Sequence, residues 1–408
     1  MKRVSNRVEV FRGKLLCWFY IPALFWLIIS VAVGTGIRYH WHTPWITAFT
    51  MPNLIHAHTH AALLGWVYLV MAGFTLQYFI SRKTAEKTII PMAIGIQVSN
   101  VGMLISFALQ GYAFGSIFFS SVHLFLTLWL AILFLISPNK NEKSLSRDFA
   151  AAAWLWHVLS GFGPFALAFT GGMSGTMAQF WLGSYLFLLL NGWIIFMMLA
   201  MWYRVPEVAA KTGKKERFGF NLMFITLLPA LISMLYPLGI SDSLIRIGFV
   251  FNLLHGFGIL LLLPSLWPGK SSPVVVRTVL IIAVIMLGLK AVVQPLSYFP
   301  DLIFLTQNHF LKVGFIHMVL LALVTPLLLV LIFRTVRRNT IFAHVITATV
   351  LIAVLLTTLI LFWIPLGSMA GIYLNLPYNL IMALLGFVFM LATAGVLWNE
   401  ISKYCSNI

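Results

Sequence analysis

Three histidines within five residues, His56, His58 and His60, open an apolar run that reads N-L-I-H-A-H-T-H-A-A-L-L-G-W-V-Y-L-V-M-A-G over Asn53–Gly73. The run is long enough to cross a bilayer. A polar side chain inside such a run is costly and needs a partner. Imidazole is the commonest protein ligand for heme iron and for many metal ions. A helix turns about 100° per residue, so His56 and His60 share one face while His58 points about 200° away from either. The spacing therefore offers two arrangements: a lone axial ligand at His58, or an i, i+4 pair from His56 and His60. A third reading leaves the trio at the lipid–water interface with no ligand.

The elements that must position these side chains follow from composition. Hydrophobic residues make up 61% of the 408 and charged residues 9%, with a mean hydropathy of +0.99. Apolar stretches of bilayer length fall at about 15–35, 54–80, 88–110, 115–137, 149–171, 177–203, 217–238, 244–267, 273–295, 309–333, 340–365 and 375–399. The expected fold is an all-α integral membrane protein with twelve transmembrane helices. A basic segment 1–14 precedes a single membrane domain over 15–400, and a short tail covers 401–408. The first apolar stretch is too long for a signal-peptide core and no small-residue cleavage site follows, so it reads as a retained helix. Cys17 and Cys405 provide neither a disulfide framework nor a cysteine metal site.

The net charge of +17 does not point to nucleic acid. If the N-terminus is inside, all of the 26 basic residues except Arg38, Arg246, Lys290 and Lys312 fall on the inner side of the twelve stretches. That alternation supports cytoplasmic termini, and the expected location is the inner membrane of a bacterium. It also makes the lipid bilayer, including its anionic headgroups, the partner of the charges. All nine acidic residues lie in loops or at helix ends. Proton pumps and proton-coupled transporters commonly carry a carboxylate at mid-membrane, so its absence argues against them.

Even-numbered stretches run from outside to inside. The second carries His58, the fourth His123, the eighth His255 and the tenth His317, all at similar depth in the outer half of the membrane. His157, in the fifth, sits nearer the middle. His40, His42 and His309 lie at or beyond the outer edge. The remaining polar inventory is thin, with Asn100, Asn191, Asn221, Asn252 and Gln294 able to bond between helices. No phosphate loop, dinucleotide fingerprint or Ser–His–Asp ordering is present.

Twelve helices with histidines in the second and tenth resemble the catalytic subunit I of heme–copper oxidases, nearest to the C-type, cbb-type oxidases. In that subgroup a helix 2 histidine in an H-T-N-A context ligates the low-spin heme, and this chain has His58-Thr59-His60-Ala61. The family's tenth helix carries H-x-H, whose second histidine binds the low-spin heme and whose first binds the high-spin heme. This chain has Val313-Gly314-Phe315-Ile316-His317, so the second histidine maps onto His317 and Phe315 replaces the first. The family's copper ligands lie in helices 6 and 7, and neither the sixth nor the seventh stretch here holds a histidine. The paired arginines that meet heme propionates after helix 11 are also missing, since 367–377 has no basic residue.

The resemblance implies a subunit-I-like bundle with one low-spin heme b, His58 and His317 as axial ligands, and no ordinary heme–copper binuclear centre. Two neutral imidazoles make iron six-coordinate, which suits electron transfer or redox and gas response. Each ligand's other ring nitrogen should donate a hydrogen bond. Propionates turned toward the outer water would need a cation, with Arg38, taken to lie on the loop before helix 2, ranked first and Lys290 second. The implied partners are other respiratory subunits and a cytochrome or quinol electron donor. Two further readings stay open. One resembles the heme–copper membrane proteins linked to nitric oxide tolerance, with copper or a second heme at His56, His60, His123 and His255. The other is a cofactor-free polytopic transporter whose histidines bind substrate.

Overall fold

The structure, a computed structural model, describes residues 2–139, 144–169, 175–269, 273–335, 341–372 and 376–405. Parts of the expected basic loops, residues 373–375 and the tail residues 406–408 lie outside them. Among the described residues the chain is 88% helical without a strand. Twelve helices are long and apolar enough to cross a membrane: α1 (Glu9–His42), α2 (Met51–Tyr78), α3 (Arg82–Gln110), α4 (Phe114–Ile136), α5 (Leu145–Leu167), α6 (Gly175–Trp202), α7 (Lys214–Leu238), α8 (Asp242–Leu266), α9 (Val274–Ser297), α10 (His309–Ile332), α11 (Val345–Met369) and α12 (Tyr378–Trp398). The twelve expected spans and the all-α class are thus observed.

Helix ends depart from the hydropathy boundaries where breakers, rather than polarity, decide. α1 runs on through Arg38 to His42 because no breaker intervenes before Thr43-Pro44. Arg38 is therefore a helical residue, where a loop position had been expected. Gly111, with φ of 61°, closes α3 in a region that favours glycine and turns the chain into α4. Within the helices, Thr75, Thr88, Thr358 and Thr393 return their hydroxyls to the carbonyl four residues earlier. That bond satisfies a polar group where lipid offers no partner.

The chain forms two compact units. The first comprises Met1–Glu142, Leu328–Ile360 and Gly367–Ile408, and the second Lys143–Leu327 and Leu361–Leu366. In the first, Trp26 Nε1 of α1 donates to Gln97 Oε1 of α3 at 2.6 Å. Gly65 lets α2 lie against Trp26, because a Cβ there would stand 2.7 Å from the indole. In the second, glycines seat α7, α8 and α9. A Cβ on Gly219 would meet Leu262 at 2.9 Å and the Gly258 carbonyl at 3.0 Å, and one on Gly256 would meet the Ala291 carbonyl at 2.3 Å. Helices in lipid associate largely by such close backbone approach.

One feature recurs every fourth helix. α2, α6 and α10 each switch to a seven-residue π segment, at Ala61–Val67, Leu188–Ile194 and Met318–Val324. The same three helices are the most buried, 78%, 89% and 72% of their apolar windows against at most 50% elsewhere. A π segment shifts the side-chain register and frees carbonyls from the helical ladder, and such segments are frequent at functional sites. In α2 the Leu64 carbonyl, inside the π segment, accepts from Asn100 Nδ2 at 3.2 Å.

Candidate functional site

The histidines of α2 face opposite ways, as helical spacing requires. In the first unit His58 turns toward α1, and its Nδ1 donates to the Ser30 carbonyl at 2.8 Å. Gly34 makes room for the ring, since a Cβ there would lie 2.8 Å from His58 Cε1. The bond fixes the proton on Nδ1 and leaves Nε2 as the ring's electron-pair donor. Arg38 lies two turns from Ser30 on the same helix. Its guanidinium stacks over Trp41 at 5.0 Å and reaches Asn379 Oδ1 of α12 at 3.5 Å. Among the described residues no carboxylate pairs with it.

His56 and His60 take the other face. His60 lies on the Phe107 ring of α3, 4.0 Å between centroids and 27° between planes, and its Nδ1 donates to the His56 carbonyl at 2.9 Å. His56 meets Tyr112 edge-on at 4.7 Å. His123 of α4 packs edge-on against Tyr68 at 4.5 Å, with its Nε2 buried and without a hydrogen-bond partner. The i, i+4 pair of α2 is therefore occupied with aromatic packing and its own helix.

His317 belongs to the second unit. Its Nδ1 donates to the Val313 carbonyl of its own helix at 2.8 Å. It is the last residue before the π segment of α10, as His60 is in α2. Both of these histidines bond the carbonyl four residues back, so relative to the π segment His317 matches His60, and Phe315 matches His58. Sequence reasoning aligned His317 with His58 and had no signal for the π register, which depends on packing rather than on composition.

His255 lies in the second unit with its Nδ1 on the Met223 carbonyl at 3.1 Å. It belongs to a different unit from His56, His60 and His123, so the proposed four-histidine set is not gathered within either unit. His157 stacks on Trp193 of α6 at 4.0 Å. Among the described residues no three His, Cys, Asp or Glu side chains come together as a metal-binding group. A bis-histidine heme needs only two.

Lys290 departs most from expectation. Its place near the end of α9 suggested a cation that meets water, but it is 0% exposed. Its ammonium donates to Asn191 Oδ1 at 2.6 Å and to Gln294 Oε1 at 2.8 Å. With no exposed surface and its ammonium held by amides of α6 and α9, it offers no surface charge to a propionate. Arg38, half-buried and free of carboxylates among the described residues, retains that capacity.

An all-α polytopic membrane protein with a buried polar cluster around Lys290 and a part-buried one at His58 is the class that fold and site define. No family model matches the chain, and no curated protein matches it.

Proposed function

We propose that the chain is a membrane b-type heme protein related to subunit I of the heme–copper oxidases, with His58 and His317 as axial ligands and electron transfer or redox and gas response as its role. The observation that carries this reading is the Nδ1 bond of His58 to the Ser30 carbonyl, beside an arginine without a carboxylate. A metal-ligating histidine almost always donates its other ring nitrogen to such an acceptor. His317 likewise donates its Nδ1 to a backbone carbonyl, that of Val313. When bound by two imidazoles, the heme supplies one-electron chemistry with no open iron position. Ser30 and Val313 hold the proton of each ring at Nδ1, Gly34 gives His58 its place against α1, and Arg38 supplies positive charge. The membrane is proposed to be a bacterial inner membrane with both termini cytoplasmic, and the donor a cytochrome or quinol. The test is a reduced-minus-oxidised absorption spectrum of the purified protein, with iron quantified per chain. About one low-spin heme b per chain is the expected result, and a colourless, iron-free protein from heme-sufficient cells would end the reading.

Arg38 gives a second expectation. Ferric heme carries one more positive charge than ferrous heme, so a nearby cation favours the reduced state. Arg38→Met should lower the midpoint potential by on the order of tens of millivolts. A redox titration that leaves the potential unmoved would show that Arg38 is only an interfacial anchor.

Oxygen turnover is not expected from this chain alone. Phe315 stands where the family's high-spin heme ligand lies, and α6 and α7 contain no histidine. Cyanide-sensitive oxygen consumption by the pure protein at oxidase-like rates would contradict this.

A further inference from the structure

The second unit holds a fully buried lysine whose hydrogen-bond acceptors are both neutral. Lys290 lies two turns inside the end of α9, and both acceptors of its ammonium, Asn191 Oδ1 and Gln294 Oε1, are neutral. The amide nitrogens behind them donate away from the lysine. Asn191 Nδ2 donates to the Phe187 carbonyl at 3.0 Å, and Gln294 Nε2 donates to Asn252 Oδ1 at 3.3 Å. Asn252 Nδ2 in turn bonds Ser233 Oγ and the Ala230 and Gly248 carbonyls. The cluster thus turns amide oxygens toward the lysine, which orients it for the protonated amine. An ammonium has three protons, and two of them have acceptors. No ion pair reaches Lys290 among the described residues. Buried charges are normally paired with an opposite charge, and an intramembrane ionisable residue is a candidate functional site.

A second group points to the same place. His255 of α8 is 2% exposed. Its Nδ1–H is held by the Met223 carbonyl, and its Nε2 is buried without any partner. With the proton on Nδ1, Nε2 is an acceptor. The Gly256–Ala291 contact brings the α8 and α9 backbones together beside both residues. The two side chains therefore offer one cationic N–H donor and one neutral acceptor.

We propose that Lys290 and His255 form an intramembrane site for a small monovalent oxyanion that carries its own proton, of the bicarbonate type. One oxygen of the anion accepts the third Nζ–H of Lys290, and its O–H donates to His255 Nε2. Net charge then cancels, and no buried polar atom of the pair is left unsatisfied. A bare carboxylate or halide would pair with the lysine but would face the lone pair of Nε2. A divalent anion would leave a negative charge. The site is separate from His58 and does not depend on heme.

Calorimetric titration of the full-length protein with bicarbonate at fixed pH and ionic strength tests this, with formate and chloride as the comparison anions. Saturable bicarbonate binding, with formate and chloride weaker by about tenfold or more, is the expected result. His255→Phe should erase the preference for bicarbonate over formate. Lys290→Met should abolish binding. Because that variant could fail to fold, Asn191→Asp provides the second test: it gives Lys290 an internal carboxylate, and should abolish binding with no loss of melting temperature. Absence of bicarbonate binding by the unaltered protein, or undiminished binding by folded Asn191→Asp, overturns the proposal.

Discussion

Replacing His58 with alanine is expected to abolish the low-spin heme spectrum, and His317→Ala is expected to do the same. Loss of one of two axial imidazoles leaves iron five-coordinate or the heme unbound, so the effect on the spectrum should be all but complete. His58 also has a steric dependence that a surface histidine would lack. Gly34→Leu places side-chain atoms where His58 Cε1 lies 2.8 Å from a Cβ position, so it should displace the ring and reduce heme content without touching a ligand. His60→Ala is the informative control. Its ring is committed to Phe107 and its Nδ1 to its own helix, so its removal should cost packing and leave the spectrum in place. If His60→Ala removes the signal and His58→Ala keeps it, the α2 ligand is the residue that matches His317 in the π register.

Gly256→Ala should destabilise the second unit by about 2–3 kcal/mol, as overpacking does when the obstructing atom is backbone. The new methyl would sit 2.3 Å from the Ala291 carbonyl oxygen, which cannot rotate away, so α8 and α9 must separate. Gly183→Ala is the matched control in the same unit. Its nearest neighbour is the Met234 sulfur at 3.4 Å, the end of a flexible side chain, and alanine is the better helix former. Melting temperature in detergent should therefore fall for Gly256→Ala and hold or rise for Gly183→Ala. Equal melting temperatures would show that the close α8–α9 approach is not needed for stability. Separation of these helices should also disturb the Lys290–Gln294–Asn252 chain, which spans the same contact.

The sequence by itself determined the twelve apolar helices and the face on which each α2 histidine lies. Length and hydropathy suffice for the first, because a backbone in lipid must satisfy its hydrogen bonds within one segment. Helical periodicity suffices for the second, and His58 and His60 do turn to different neighbours. Placement within a helix was less legible. Hydropathy ended α1 before Arg38, whereas the helix continues to His42 because a helix ends at breakers and caps, not where polarity begins.

Only the tertiary structure decided what each polar side chain meets. Lys290 near a helix end read as a charge for the water, and it is fully enclosed by amides from α6 and α9. That outcome depends on which faces of α6, α8 and α9 oppose one another, and on glycines that let their backbones touch, and neither is encoded in local periodicity. The acceptor of His58 Nδ1, the Ser30 carbonyl, carries no side-chain signal at all, since any residue supplies a carbonyl. The π segments of α2, α6 and α10 are equally silent in composition, because they arise where packing favours a wider turn over the α ladder. The histidine types were set by the sequence, but the hydrogen bonds of His58 and His255 were set by carbonyls 28 and 32 residues away.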